Sequence, residues 1–190
     1  MNWGACYLDH FAKWFRAPVA RSVFEQGPYD PSIQVLSFDG VFEGCRVFAT
    51  LGLSHYSADI GRVAEIVIPV DDEWAIVPGL VANVLFHMIQ TRQHIGRGVA
   101  VSGLDRIDPS FCQRVGKRAL YLTDIYGLPA GAERVICDGQ SGALYLGLFI
   151  SRGEYEMFRR DGAEGLEGEF ERRGVDPYSV GRPSAVVEPD

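Results

Sequence analysis

Hydrophobic residues recur along the chain with two spacings, one typical of helices and one typical of strands. The clearest helical pattern begins near Val77. Its apolar face carries Leu80, Val81, Val84, Leu85, Met88 and Ile89, and its polar face carries Asn83, His87 and Gln90. Pro78 is compatible with this helix because proline fits a first helical turn. The pattern predicts the main helix from Val77 onward, after an acidic start at residues 71–73 and a turn at residues 74–76.

Short runs rich in Val, Ile, Leu and Phe predict the strands. They cover residues 33–38, 45–51, 63–70, 99–102, 119–126, 134–137 and 143–150. The first three are joined by short connections, and one connection carries the hairpin signal Asp39-Gly40, so we expect an antiparallel or mixed sheet. Pro69 should confine its position to a strand edge or a strand end. The last run is almost wholly apolar, which is typical of a central strand.

Weaker patterns predict helices near both ends of the chain. Residues 7–15 have the spacing of a short amphipathic helix that ends before Pro18. After the last strand, Ser151 and Glu154 have the spacing of a capping box, and residues 163–173 form a second helix. The elements together predict an α+β fold: a single domain with a mixed, mostly antiparallel sheet packed by a long central helix and C-terminal helices.

The segments between these elements are predicted as turns or loops. Residues 19–32 and 105–109 are rich in turn-forming residues, and residues 54–61 form a polar loop. The tail after residue 175 is expected to be extended.

Composition narrows the functional classes. The chain has 190 residues and 47% hydrophobic residues, which is enough for one domain with a sizeable core. A net charge of -7 argues against non-specific nucleic-acid binding and leaves open a basic partner. Apolar stretches are broken well before the ~20 residues that span a membrane, and the N-terminus lacks a signal-peptide pattern. We therefore expect a cytoplasmic protein that does not insert into a membrane.

The four cysteines lie far apart at positions 6, 45, 112 and 137, and none forms a C-x-x-C pair. This spacing gives little support to a zinc site or a redox motif. We expect the cysteines to be small buried hydrophobic residues.

Other candidate chemistry is weak. His87 and His94 are two helical turns apart, about 10 Å along an axis, which is too far to share one metal ion. The segment Gly139-Gln-Ser-Gly precedes a strand, whereas a nucleophile elbow follows one. We identify no candidate catalytic, cofactor-binding or metal-binding residue, and we predict a protein that is not an enzyme.

Two polar segments are candidates for contact with a partner. The first is the loop that carries Ser54, His55, Tyr56 and Asp59. Ser54, His55 and Asp59 with Glu65 could also be imagined as a catalytic group, but neighbours on one loop rarely have that geometry. The alternative hypothesis is a small-molecule-binding or enzymatic domain that uses residues 54–61.

The second candidate is the acidic C-terminal helix, whose glutamates include Glu164, Glu167 and Glu171. A solvated helix face explains such residues, and docking of a basic partner is the functional interpretation. A homo-oligomer built through an exposed strand edge is a further hypothesis.

Three segments resemble the suppressor-of-fused family in their order and spacing. The first is Phe48-Ala-Thr-Leu-Gly-Leu-Ser54 followed by Ala64-Glu-Ile-Val-Ile, similar to a T-x-G-[LM]-S turn and an E-[LI]-V strand. The second is Gly147-Leu-Phe-Ile-Ser-Arg-Gly-Glu-Tyr-Glu, similar to an apolar strand entering a helix. The third runs from Gly165 to Arg182-Pro-Ser, similar to a helix, a turn and a terminal R-[PS]-S segment. The resemblance covers about residues 8–186.

The resemblance implies a non-catalytic domain that binds a protein or peptide, in the compact form seen in bacterial proteins. Animal members clamp a short peptide as an added strand, a mode that uses unpaired backbone groups. Bacterial members resemble immunity proteins that neutralise a cognate toxin. An acidic surface suits a basic toxin. No cofactor is implied.

Overall fold

A single mixed sheet organises the molecule. The computed structural model describes residues 1–71 and 75–188. Within those residues the strands are β1 (Ala20–Phe24), β2 (Ile33–Asp39), β3 (Arg46–Leu51), β4 (Ala64–Val70), β5 (Val99–Ser102), β6 (Lys117–Asp124), β7 (Arg134–Cys137) and β8 (Gln140–Ser151). Their order across the sheet is β1-β2-β3-β4-β8-β6-β5, and β7 pairs with β8 beside the end of β6.

Strand β8 is central, as its apolar run predicts. It pairs in parallel with β4, while all other described pairings are antiparallel. Both β6 and β7 pair with β8, so that Asp124 lies opposite Tyr145 and Arg134 lies opposite Ala143. The predicted mixed, mostly antiparallel sheet is confirmed.

Helices cover both faces of this sheet. They are α1 (Trp3–Phe15), α2 (Ser57–Ile60), α3 (Val77–Gln90), α4 (Leu104–Ile107), α5 (Pro109–Val115) and α6 (Arg152–Arg173). One core packs α2 to α5 against residues such as Ile66 of β4. The other packs α1 and α6 against residues such as Val67 of the same strand. Neighbouring residues of β4 therefore serve opposite cores, as the alternation of a strand requires.

The main helix follows the predicted pattern. Helix α3 begins at Val77 with Pro78 in its first turn, and its predicted apolar residues are buried. Asn83, His87 and Gln90 are exposed. Of the predicted acidic start and preceding turn, residues 72–74 lie outside the described residues.

Helix α6 also agrees with the sequence pattern. The Ser151 side chain accepts a hydrogen bond from the Glu154 N–H, and the Glu154 carboxylate accepts one from the Ser151 N–H. The helix is broken at Gly162, where φ is 76°, a left-handed conformation that favours glycine. The break divides α6 into two segments, consistent with the two predicted helices.

The C-terminal tail, predicted to be extended, contains turns between residues 175 and 188 and is firmly docked. Arg182 is 8% exposed and forms an ion pair with Glu154, whose exposure is 0%. The Ala185 N–H donates to the same carboxylate at 2.7 Å, and the hydroxyl groups of Ser184 and Ser151 lie 2.8 Å apart. The tail therefore closes over the N-terminal cap of α6.

Two local predictions were wrong. Residues 19–32 contain strand β1, which is mostly exposed and therefore lacks a clear apolar pattern. Residues 105–109, predicted as a turn, belong to the short helices α4 and α5, and Asp108 caps α5 by accepting the Phe111 N–H at 2.8 Å. Pro69, by contrast, lies at the end of β4 as predicted: it is the penultimate residue of that strand and lies beyond the pairing with β8, so its missing donor is tolerated.

The cysteines provide the third correction. Cys6 of α1 and Cys137 of β7 form a disulfide, with an S–S distance of 2.06 Å, although 131 residues separate them. Such a pair cannot be identified from sequence spacing, because it is the fold that brings α1 against β7. Cys112 is buried, as expected, and Cys45 is partly buried.

Candidate partner-binding groove

The predicted loop at residues 54–61 is a compact helical turn. A 3₁₀ turn at Leu53–Tyr56 leads directly into α2. Ser54 is buried, whereas His55 is exposed. The Tyr56 hydroxyl donates to the Pro31 carbonyl at 2.6 Å, and Asp59 lies 3.8 Å from Arg92.

A buried carboxylate fixes this turn. Glu65 is fully buried and accepts four hydrogen bonds, from the Thr50 hydroxyl at 2.6 Å and from the N–H groups of Gly52, Leu53 and Ser54 at 2.9, 3.2 and 3.0 Å. Burial raises the pKa of Glu65, although the surrounding donors oppose that shift. Because Glu65 is enclosed while His55 is exposed, the arrangement is that of a structural cap.

The predicted acidic residues of α6 lie on the other face of the sheet. Leu53 and Ile60 belong to the core beneath α3, whereas Leu166 and Phe170 belong to the core beneath α6. The two predicted surfaces are therefore not brought together. Glu164 points to solvent from α6.

Glu167 is the best-anchored of these glutamates. Its carboxylate accepts hydrogen bonds from the Tyr121 hydroxyl at 2.7 Å, the Thr123 hydroxyl at 2.5 Å and the Arg97 guanidinium at 2.6 Å. Burial raises the pKa of Glu167, but these donors, with Arg97 the foremost, outweigh burial and leave the pKa below its usual range. Glu167 is consequently a fixed negative charge.

Glu167 and Glu171 line a cavity of about 460 Å³ between the end of β6 and α6. Its apolar wall is formed by Ile125, Leu148, Phe170, Val175 and Pro177. Tyr126 stands at the same cavity, is 46% exposed and stacks on Tyr178 with ring centroids 5.9 Å apart. The cavity thus combines an apolar wall, an accessible aromatic ring and negative charge.

A second cavity, of about 440 Å³, shares Asp124 and Ile125 with the first. Arg62, Glu133 and Arg134 supply its charges. Arg62 donates a hydrogen bond to the Tyr145 hydroxyl and lies 5.7 Å from the centre of that ring. We call the two cavities together the groove.

The topology explains where the groove lies. The chain leaves the sheet after Asp124 and returns as β7 at Arg134, so residues 125–133 form a loop beside β8. That loop and the neighbouring strands line both cavities. Neither cavity is lined by Ser54, His55, Tyr56 or Asp59.

Sequence reasoning identified Glu167 and Glu171 but missed the other polar groups of the groove. Arg62 and Arg97 lie in loops and carry no periodic signal, whereas Tyr126, the last residue of the predicted strand 119–126, lies in the loop after β6. Residues far apart in the chain meet here only through the sheet order, so no local pattern could have grouped them.

Across residues 1–71 and 75–188, no group of three or more His, Cys, Asp or Glu side chains is arranged to hold a metal ion. None of the helices in the same described part of the chain is long and apolar enough to cross a membrane.

Solved structures share this fold. A Neisseria gonorrhoeae protein described as a suppressor-of-fused homologue matches with a TM-score of 0.74 and 17% identity, over 98% of each chain. A chain of a Sufu–Fu complex matches with a TM-score of 0.68 and 14% identity, over 95% of this chain and 91% of that one. Drosophila Suppressor of Fused matches with a TM-score of 0.65 and 14% identity, over 94% of this chain but only 50% of its own.

A comparison with curated protein sequences gives no significant match. The family model described as "Suppressor of fused protein" matches residues 29–183, which is most of the sequence. That match agrees with the three resembling segments and with the shared fold. The chain belongs to the suppressor-of-fused family.

Proposed function

We propose that this protein is a non-catalytic module, one domain spanning about residues 8–186, that binds a protein or peptide partner in the groove. The observation that carries the proposal is the apolar wall beside Tyr126 and the fixed charge of Glu167. Aromatic rings in partly apolar sites are typical anchors of protein interfaces. A Sufu chain of the same fold has been crystallised in complex with Fu, which supports protein binding as the family's mode of action.

The partner in this proposal is a basic protein. The chain carries a net charge of -7, and Glu164, Glu167 and Glu171 lie along one stretch of α6. Complementary charge accelerates encounter and disfavours wrong partners. A basic bacterial toxin has the required charge, and the protein would then act as its immunity protein in the cytoplasm.

The loop at residues 54–59 has a secondary place in this proposal. His55 is exposed, and Tyr56 and Asp59 are partly exposed, so these three side chains can contact a partner directly. Ser54 is buried under the turn and contributes by holding its shape. Gly61, which directly follows α2, lines the second cavity of the groove, so a partner bound there would lie next to the end of this loop.

The test is partner capture followed by calorimetry with the purified partner. We expect Tyr126→Ala and Glu171→Arg to weaken binding at least tenfold, since each removes a feature of the groove. Asp105→Arg makes a comparable charge change on α4, beneath the opposite face, and should leave binding unchanged.

Two results would contradict the proposal. One is a partner whose affinity is unaffected by both groove variants but lost in Asp105→Arg. The other is turnover of a small molecule that Ala substitutions at Ser54, His55 and Asp59 abolish, which would support the enzymatic alternative.

A further inference from the structure

The two outermost strands of the sheet differ in how they are protected. Strand β5 is four residues long, and its Ala100 carbonyl accepts a hydrogen bond from the Gln93 side chain at 3.3 Å. Strand β1 is five residues long and pairs with β2 on one side only. An outermost strand of this kind presents unpaired backbone N–H and C=O groups, which are a template for another strand.

The side chains of β1 mark one face of this edge as accessible. Val19 and Val23 are 56% and 50% exposed, and Arg21 between them is exposed as well. Phe24 points the other way and packs against the core beneath α3. Exposed apolar side chains on an open edge are unusual, because edges are normally blunted by charge, proline or a covering element.

Antiparallel self-pairing of β1 allows few registers. In an antiparallel pair, directly opposed residues point to the same face of the sheet. A two-fold axis that relates two copies of one strand must therefore lie between a residue and the same residue of the second copy. An axis at Arg21 would set Arg21 against Arg21 of the second copy. An axis at Ser22 would set Val19 against Glu25 and leave Arg21 opposite Val23. Neither register is complementary.

An axis at Val23 gives a complementary register. It sets Val23 against Val23 of the second copy. It also sets Arg21 against Glu25, the first residue after the end of β1, once on each side of the axis. Within the described part of the chain, neither Arg21 nor Glu25 forms an ion pair, and both side chains are exposed. Opposite charges directly across a strand pair are stabilising, and like charges are destabilising.

We propose that two copies of this chain associate through β1 in this register, so that one continuous sheet runs through both. The inference goes beyond the proposed function, because β2, β3 and β4 separate β1 from β8 and the groove. Each copy of the dimer would keep its groove open to a partner.

Charge reversal tests the register directly. Sedimentation equilibrium of the wild-type protein over a concentration series should show a monomer–dimer equilibrium. R21E places two carboxylates opposite each other on both sides of the axis, and E25R places two guanidinium groups there. Each variant should raise the dimer Kd about tenfold or more. The double variant R21E/E25R restores both pairs and should dimerise within about threefold of wild type.

Mixing the two single variants gives the sharpest result. A copy with R21E carries only negative charge at these positions, and a copy with E25R carries only positive charge. We expect the two to form a heterodimer although neither forms a homodimer. R106E, a matched charge change on α4, should leave the Kd unchanged. Circular dichroism verifies that each variant is folded.

The proposal is overturned if the wild-type protein is monomeric at all concentrations. It is also overturned if a dimer forms but the single variants do not weaken it, or if the mixed variants fail to associate. Partner binding in the groove is measured separately with Tyr126→Ala, so failure of the dimer leaves the proposed function standing.

Discussion

The buried carboxylate of Glu65 makes a quantitative prediction about stability. Two donors reach Oε1, the N–H groups of Gly52 and Ser54, and two reach Oε2, the Thr50 hydroxyl and the Leu53 N–H. A glutamine at this position has one carbonyl oxygen and one NH₂ group. Whichever way the amide is oriented, its NH₂ faces two groups that donated to the carboxylate.

The better orientation can be identified from the geometry. The Thr50 hydroxyl oxygen already accepts the Ile66 N–H at 2.8 Å, and it has a second lone pair that can accept from an NH₂ group. Glu65→Gln should therefore keep its carbonyl toward Gly52 and Ser54. The glutamine side chain then loses the hydrogen bonds that the carboxylate accepted from the Leu53 N–H and from the Thr50 hydroxyl.

Each hydrogen bond to a charged group contributes roughly 1.5–3 kcal/mol, so the two losses cost about 3–6 kcal/mol. Two effects return part of that cost: the NH₂ group donates a new hydrogen bond to the Thr50 hydroxyl, and the substitution removes a buried charge, which burial disfavours. We expect Glu65→Gln to lower the free energy of unfolding by about 2–4 kcal/mol. Glu65→Ala should cost more, since it leaves every donor unpaired.

The measurement is urea denaturation at pH 7, followed by tryptophan fluorescence and circular dichroism. Glu43→Gln is the matched control, because Glu43 is exposed and the chemical change is identical. A loss below about 0.5 kcal/mol for Glu65→Gln, the range of ordinary surface substitutions, would refute the assignment of Glu65 as the cap of this turn.

Three further predictions concern other buried groups. Cys137→Ser should lower the free energy of unfolding by up to about 5 kcal/mol, because the disulfide closes a loop of 131 residues, and a reductant should have the same effect on the wild-type protein in denaturation experiments. Arg182→Met leaves the Glu154 carboxylate buried without its ion-pair partner, so the free energy of unfolding in urea should fall by about 3–5 kcal/mol. Arg172→Met, on the exposed surface, is the control. Burial and the nearby charge of Arg182 lower the pKa of Lys117 from 10.5 to about 8. Between these two pH values the unfolded chain binds a proton that the folded protein has released, so the free energy of unfolding should rise with pH. Lys117→Met should remove that rise.

Much of the fold follows from local patterns in the sequence. The apolar face of α3 and the long run of β8 are strong because both elements are buried along their length. The capping box of α6 is a local signal, and it predicts the start of that helix correctly. The prediction missed strand β1 for the opposite reason. An exposed edge strand has no buried apolar face that would reveal it in the sequence.

The groove and the disulfide depend on the sheet order, which the sequence pattern does not contain. Cys6 meets Cys137 only because β7 pairs with β8 and lies beneath α1. The groove forms because β6 and β7 pair with successive parts of β8. Glu167 was predicted for its charge alone, whereas its fixed position comes from Arg97 and Tyr121 on distant segments.

The disulfide bears on the expectation of a cytoplasmic protein. Disulfides are uncommon in the reducing cytoplasm. If the protein acts there, the fold must tolerate the reduced pair, and the aromatic contacts of α1 must hold the helix in place. Phe11 and Phe15 both pack within 6 Å of the Phe38 ring, measured between centroids, which gives α1 an anchor independent of Cys6.

The family resemblance specifies the scaffold more closely than the partner. In the first resembling segment, Thr50, Gly52, Leu53 and Ser54 are the groups that donate to Glu65, the glutamate of the strand that follows. In the second and third, Ser151 and Glu154 are the capping box that Arg182 and Ser184 close over. Buried polar networks of this kind favour one arrangement of the chain, because any other leaves charged groups unpaired.

The groove is built from residues both inside and outside these segments, and Glu167 and most of the apolar wall lie inside them. Arg62, Arg97, Tyr126 and Glu133 line it, and all four lie outside the resembling segments. A change at Tyr126 or Glu133 can therefore alter what the groove accepts without disturbing the networks around Glu65 and Glu154. Membership of the family therefore predicts this fold and supports a protein-binding role, while the specificity that we propose for the groove depends in part on side chains outside the resembling segments.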